Sequence, residues 1–315
     1  MKKRALGRSG LQVAPLVFGG NVFGWTADEG RTFELLDAFV EAGFNAIDTA
    51  DVYSKWAPGH QGGESERLIG KWLQRSGKRD HVVIATKVGM EMPGGRKGLS
   101  RRRIHEAVKE SLDRLQVETI DLYQSHNEDP ETPIEETLEA YGELIAAGQV
   151  RAIGASNYSA ESLERALAAS KERGLPRYES LQPQYNLYAR ADFESKLEPV
   201  CREHGLGVIN YFPLAAGFLS GKYRSEKDFG KSARGGGMKK YLNERGFAIL
   251  DALDAVAKKV EAKPAQVAIA WLLTRPAVTA PIASATTLAQ LRELVAATEL
   301  ALDRESLALL EQASA

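Results

Sequence analysis

The chain has 315 residues, enough for two ordinary domains or one large α/β barrel, and ample for a substantial buried core. A formal net charge of -1, with 43% hydrophobic and 26% charged residues, leaves none of the basic excess a nucleic-acid partner requires, so small molecules are the expected partners. The single cysteine, Cys201, excludes an intrachain disulfide framework and any multi-cysteine metal site, and it fits a reducing compartment.

The opening MKKRALGRSG carries positive charge but no apolar run of signal-peptide length, and no later stretch has the roughly 18 uninterrupted apolar residues of a membrane span. A cytoplasmic protein without a membrane partner is expected. RALGRSGLQV reads as a hairpin turning around Gly7, Arg8, Ser9 and Gly10. Strand-like runs then follow at APLVFGG, NAIDTA, VVIATKV, IDLYQSH, VRAIGASN, SLQPQYN, GVINYFPL and APIASA. Helical patterns lie between them, from EGRTFELLDAFVEAG onward, and many finish on glycine, which accepts the left-handed conformation past a helix end. FESKLEPVCREHG is read as one continuous helix before the seventh strand.

Eight alternations of strand and helix imply parallel pairing, because each crossover needs a helix. An open doubly wound sheet is the alternative, but eight is the closing number, so one α/β domain over 1–315 is predicted: a (β/α)8 TIM barrel with an N-terminal β-hairpin. KPAQVAIAWLLTRP and DRESLALLEQA are read as extra outer helices, amphipathic enough to pack outside the barrel. Residues 217–245, with clustered Gly, Lys and Arg, form the least regular stretch and are expected to be a long loop on the active face.

Four residues of complementary chemistry fall at or just after three successive strand ends: Asp48, Tyr53, Lys87 and His126. In a parallel barrel those ends open on one face. Tyr53 is the candidate proton donor, and a phenol with a pKa of about 10 needs tuning to exchange its proton near neutrality. Lys87 is expected to supply that tuning by charge, Asp48 to hold the ammonium, and His126 to orient and polarise a substrate oxygen. Singly, each is more often a packing or solvated residue; their coincidence on adjacent strand ends carries the reading. No GxGxxG follows a strand, GFLSGKY is a residue short of a phosphate loop, and no metal motif is present.

With these motifs in view, the chain resembles the aldo-keto reductase family from the hairpin through the eighth helix. The family's DTAxxY stands here as Asp48 to Tyr53, its lysine as Thr86-Lys87, its histidine as Tyr123-Gln124-Ser125-His126, and GESERLIG from Gly63 to Gly70 is similar to the helix start that follows. The resemblance implies NAD(P)H-dependent reduction of an aldehyde or ketone, with Tyr53 as general acid. It implies that Ser156, Asn157 and Gln182 hold the nicotinamide carboxamide and that Tyr211 stacks on its ring. Gln184 shares the side of Gln182 by strand alternation, so the choice between them rests on the family pattern. Phe212, Pro213, Leu214, Ala215 and Lys222 would continue along the pyrophosphate, with Gly20 and Asn21 lining the same pocket. Ser284, Thr286 and Gln290 would face the adenosine ribose, where ordinary helix capping is the plain alternative. That segment has no Lys or Arg before Arg292 and has Leu294 where an asparagine is common, so a 2'-phosphate would depend on the helix N-terminus, hydroxyls, Lys222 or Arg234. NADPH is the expected cofactor and NADH the alternative.

Two other classes stay open. One is a nicotinamide-binding regulatory subunit of a channel-type partner, and the other a Schiff-base lyase using Lys87. Trp25, Trp56, Met90 and Phe229 fall in loops near the active face, where they would shape an apolar substrate pocket. The substrate and the oligomeric state are not legible in the sequence.

Overall fold

The computed structural model describes residues 2–315. The chain opens with an antiparallel hairpin, β1 (Arg4–Ala5) and β2 (Gln12–Val13), turned through Gly7 and Gly10 at positive φ. Eight parallel strands follow: β3 (Val17–Gly19), β4 (Ala46–Asp48), β5 (Val83–Val88), β6 (Ile120–Ser125), β7 (Val150–Ser156), β8 (Tyr178–Gln182), β9 (Gly207–Val208) and β10 (Ile282–Ala283). They form one sheet in the order β10-β3-β4-β5-β6-β7-β8-β9. Its two ends meet through hydrogen bonds from Thr279 N to Val208 O at 2.8 Å and from Ile282 N to Asn210 O at 2.9 Å. The sheet thereby curls into the predicted (β/α)8 barrel.

The outer layer is α1 (Glu29–Glu41), α2 (Glu64–Ser76), α3 (Arg101–Leu115), α4 (Ile134–Ala146), α5 (Ala160–Arg173), α6 (Glu198–His204), α7 (Glu244–Lys259), α8 (Pro264–Leu273), α9 (Leu288–Ala297) and α10 (Arg304–Ser314). Local sequence sets their ends. Asp28, Ser100, Ser159, Asn243, Thr287 and Asp303 each accept an N–H of the first turn, and Gly77, Gly174 and Gly205 close helices in the left-handed region. Among the described residues no helix is long and apolar enough to cross a membrane.

Two expectations are corrected. The single helix read at 193–205 is a π-type turn, Phe193–Leu197, running into α6. Pro199 lacks an N–H and crowds the carbonyl four residues earlier, so the backbone widens there. The segment α8 lies in the outer layer as read but is not amphipathic: Val267 through Leu272 are all buried, because α8 packs between α7 and α9.

Alternation along the strands builds two cores. Ile47, Ile84, Tyr123, Ile153 and Leu181 face the helices. Val17, Ala46, Ala85, Leu122, Ala152 and Ile282 face inward, and Leu6, Leu11 and Val13 of the hairpin close the barrel floor beneath them.

Gly70 shows how tightly the outer layer is drawn in. A Cβ at this point of α2 would lie 2.3 Å from the Arg114 carbonyl oxygen of α3. Gly70→Ala therefore forces α2 and α3 apart, and urea denaturation is expected to show a loss of about 1–3 kcal/mol; wild-type stability in the variant would contradict the close approach.

Candidate active site

Continuing each inward-facing row by two residues changes its chemistry. Ala46 is followed by Asp48, Ala85 by Lys87, Leu122 by Gln124, Ser180 by Gln182 and Ile209 by Tyr211, so the apolar floor gives way to a polar layer at the C-terminal strand ends. Above it lies a cavity of about 810 Å³, within the size range of small-molecule sites.

Lys87 is the centre of this layer and is fully buried. Its ammonium donates to Asp48 Oδ2 at 2.7 Å, to the Thr49 carbonyl at 2.7 Å and to the Tyr53 hydroxyl at 2.8 Å. All three of its protons are thus engaged. Asp48 is gripped from the other side: its Oδ1 accepts from Gln182 at 2.9 Å and from Gln124 at 3.2 Å. Burial pulls the Lys87 pKa down, against the opposing pull of Asp48.

Tyr53 departs from expectation. Lys87 was expected to bring its phenol toward neutrality, yet burial, followed by the Asp48 carboxylate, pushes the Tyr53 pKa well above the usual value. The Asp48 carboxylate acts on the phenol directly, because the Tyr53 hydroxyl donates to its Oδ2 at 3.4 Å. Tyr53 therefore rests firmly protonated, with Lys87 donating to its oxygen and its own proton directed to Asp48 Oδ2.

His126 is buried at the cavity wall, and burial with the Lys87 charge holds its pKa far below the usual imidazole value. It is neutral near neutrality. Nδ1 is buried without a partner, which leaves Nε2 to serve the cavity. Asn157, at φ 54, donates to the His126 carbonyl at 2.9 Å and accepts from the Tyr211 hydroxyl at 2.7 Å, which ties three of the predicted site residues together. Ser156 and Gln182 line the same wall; Gln184 is exposed and does not.

From Tyr211 the wall continues through Phe212, Pro213 and Leu214. Phe212, Ala215, Ala216 and Gly217 all take positive φ, an arrangement costly for the three that carry a side chain. Ala215 and Gly217 donate their N–H groups back to the Phe212 and Leu214 carbonyls, both at 2.8 Å, and the Lys222 Nζ lies 3.8 Å from where a Gly217 Cβ would stand. Asn21 and Ser284 meet at 2.6 Å on the opposite wall, with Thr286 and Gln290 beyond them. Two predicted residues do not reach the cavity wall. Ala215 turns into the core, and Gly20 sits behind Gly19, where its carbonyl accepts from Ser65 at 2.8 Å.

The 217–245 stretch is built of three 3-10 turns, Ala215–Ser220, Glu226–Lys231 and Gly235–Tyr241. Lys231 to Arg234 reach the cavity from it. Trp25, Trp56 and Met90 line the mouth as expected, whereas Phe229 packs against the core. Arg234 is half-buried with its guanidinium 5.6 Å from the Trp25 ring centroid.

Sequence reasoning missed the layer behind Lys87. Glu66 of α2 is fully buried, accepts from Thr86 at 2.5 Å and pairs with Arg114 at 2.7 Å. Asp51 pairs with buried Arg103 at 3.1 Å, while its N–H reaches the Lys87 carbonyl at 3.2 Å. The motif GESERLIG held the signal: Ser65 and Glu66 are polar at helix positions that turn inward. Gln124 was equally readable, two residues before His126 on the inward row.

Residues 15–315 match the family described as the Aldo/keto reductase family. The uncharacterized oxidoreductase YrpG of Bacillus subtilis (strain 168) is 36% identical over 317 aligned residues, covering 98% of this chain and 95% of that protein. A probable voltage-gated potassium channel subunit beta of Arabidopsis thaliana is 34% identical, with 93% and 90% covered. The aldo-keto reductase YhdN of Bacillus subtilis (strain 168) is 35% identical, with 82% and 75% covered.

Burial and the nearby Glu66 carboxylate raise the Asp51 carboxyl to about 7, although Arg103 pulls the other way. The folded chain holds this proton more tightly than the unfolded one, so stability present below about pH 4 is lost as the pH climbs to about 7. Asp51→Asn removes that titration. Denaturation at about pH 5 and about pH 7 is expected to show the variant gaining about 1–3 kcal/mol on the wild type between the two; a constant difference would mean that Asp51 titrates as an ordinary carboxyl.

Proposed function

The chain belongs to the aldo/keto reductase family, and from that premise we propose that it reduces an aldehyde or ketone to the alcohol, with Tyr53 as general acid. The observation that carries this reading is the Lys87 ammonium, whose three protons go to Asp48, Thr49 and the Tyr53 hydroxyl beneath a cavity that His126 also lines.

The cavity residues fit a nicotinamide dinucleotide. Ser156, Asn157 and Gln182 would hold a carboxamide, the Tyr211 ring would lie against the nicotinamide, and Lys222 beside Ala216 and Gly217 would take the diphosphate. Asn21, Ser284, Thr286 and Gln290 would meet the ribose and adenine end. Bound in reduced form, this cofactor supplies the hydride.

The chain's own residues handle the oxygen and its proton. A neutral His126 donates from Nε2 to the carbonyl oxygen and fixes it beside Tyr53. As negative charge develops, that oxygen becomes a far stronger base than a phenolate, so Tyr53 gives up its proton despite its raised pKa. The hydrogen bond from Lys87 then stabilises the phenolate left behind, and Asp48 keeps Lys87 charged and in place. The imidazole is too weak a base in this setting to be the reservoir of the proton.

We assign NADPH as the preferred cofactor. Lys222, beside the left-handed turn at 215–217, forms no ion pair among the described residues and is available to phosphate, while Glu293 on the cavity wall is already matched by Lys263. A nicotinamide-binding subunit with little turnover is the second reading, favoured by the likeness to a protein named a channel subunit beta.

Tyr53→Phe is expected to lower kcat on an aldehyde panel by on the order of 10²–10⁴-fold while leaving the NADPH dissociation constant near that of the wild type. Undiminished turnover would remove Tyr53 from the role, and negligible wild-type turnover across the panel with tight cofactor binding would favour the subunit reading. Fluorescence titration of both cofactors is expected to give NADPH at least about a tenfold advantage over NADH, an advantage of about 1.4 kcal/mol; the reverse order would overturn the assignment.

A further inference from the structure

Arg234 and Lys222 are the cations of the cavity wall that lack an ion pair among the described residues, and of the two Arg234 is the one that lies against the aromatic residues of that wall. Lys87 has Asp48, Lys231 has Asp228 and Lys263 has Glu293, but among the described residues the Arg234 guanidinium has neither an ion pair nor a side-chain hydrogen bond. Its backbone is held in place: a Cβ at the following Gly235 would lie 1.7 Å from the Phe229 carbonyl oxygen, and the Arg234 carbonyl accepts from Gly237 at 3.1 Å. The guanidinium lies over Trp25, 5.6 Å from its centroid. Trp25 meets Trp56 edge-on at 5.8 Å, and Trp56 reaches the Tyr53 ring at 6.0 Å. These ring contacts run from the guanidinium to Tyr53, whose phenol also feels the Arg234 charge.

Stacking on an indole occupies the face of a guanidinium and leaves its in-plane N–H edges free, the geometry that takes a carboxylate through two parallel hydrogen bonds. The surrounding wall of Trp25, Trp56, Met90 and Phe212 suits a flat apolar body. A carbonyl placed between Tyr53 and His126 then has its anion receptor within the length of one small molecule.

The geometry points to Arg234 as the specificity determinant for carbonyl substrates that carry a carboxylate on a short, flat apolar spacer, an inference that rests on the reductase reading above. The guanidinium binds the carboxylate, the aromatic wall covers the spacer, and the carbonyl is left at Tyr53. This changes the role expected for Arg234, from cofactor phosphate to substrate anion.

The test compares 4-formylbenzoate with its methyl ester, which keeps the ring and aldehyde but not the charge. Wild-type enzyme is expected to favour the carboxylate in kcat/KM by at least about tenfold, mostly through KM. Arg234→Lys keeps the positive charge but loses the planar fork, and it is expected to reduce that ratio at least about tenfold, while the dissociation constants of NADPH and NADH move by less than about twofold. Equal wild-type efficiency on both aldehydes would overturn the proposal. So would a variant that loses both aldehydes equally and binds cofactor at least about tenfold more weakly, which would return Arg234 to the cofactor phosphates. Titrating benzoate and benzamide against tryptophan fluorescence provides a readout that needs no turnover: saturable binding of benzoate alone, lost in Arg234→Met, supports the proposal, and indifference to the charge or to the substitution defeats it. If the wild type reduces neither aldehyde with either cofactor, the reductase reading fails, and the benzoate titration still decides the role of Arg234.

Discussion

Burying a lysine is the constraint around which this site is organised. An ammonium removed from water costs several kcal/mol unless its charge and its protons are all answered. Here the answer comes from the end of β4 and the loop that follows it: Asp48 supplies the charge, and Thr49 and Tyr53 supply the remaining acceptors. Because one of those acceptors is the phenol, stabilising the lysine and presenting a proton donor are a single arrangement. The carboxylate has a dual effect, since it holds the ammonium and also raises the phenol's affinity for its proton. Tyr53 is therefore an acid that waits for a strong base to appear beside it.

The barrel makes this arrangement possible through register. In a closed parallel sheet, residues two apart on one strand share the inner face at successive heights, so a strand can carry alanine or leucine at the floor and a charged group just above. Ala46 with Asp48 and Ala85 with Lys87 are the clearest pairs. The helices contribute from outside. Glu66 and Arg114 clamp Thr86, and Asp51 and Arg103 lie beside the Lys87 carbonyl, so the polar layer is braced on both faces of the sheet.

Much of this was legible in the sequence, and the reasons are local. Strand runs, glycine stops and cap residues depend on neighbours a few positions away, so all eight strands and the helix sequence could be read directly. The quartet of Asp48, Tyr53, Lys87 and His126 was legible because its members fall at or just after the ends of three consecutive strands. What escaped depends on packing across the fold. The polar ends of the α8 segment suggested an exposed side, but α7 and α9 cover its apolar run from Val267 to Leu272, and Ala215 and Gly20 fall in segments that do reach the cavity, although their own side is turned away. The direction of the Tyr53 shift was unreadable for the same reason: it turns on how much water the fold removes and on how close Asp48 comes, neither of which is written in spacing.

The meeting of the two sheet ends has a consequence for how the chain must be made. Ile282 pairs with Val17, and Thr279 bonds back to Val208, so the first and last strands become edges to one another only when almost the whole polypeptide is present. Until then a growing chain exposes two unpaired strand edges, each a template for another molecule. Contacts so distant in sequence form slowly. Synthesis of this protein therefore passes through a period of vulnerability to aggregation that ends with the arrival of Ile282 and Ala283, two residues whose weight in the finished barrel is far out of proportion to the length of the strand they form.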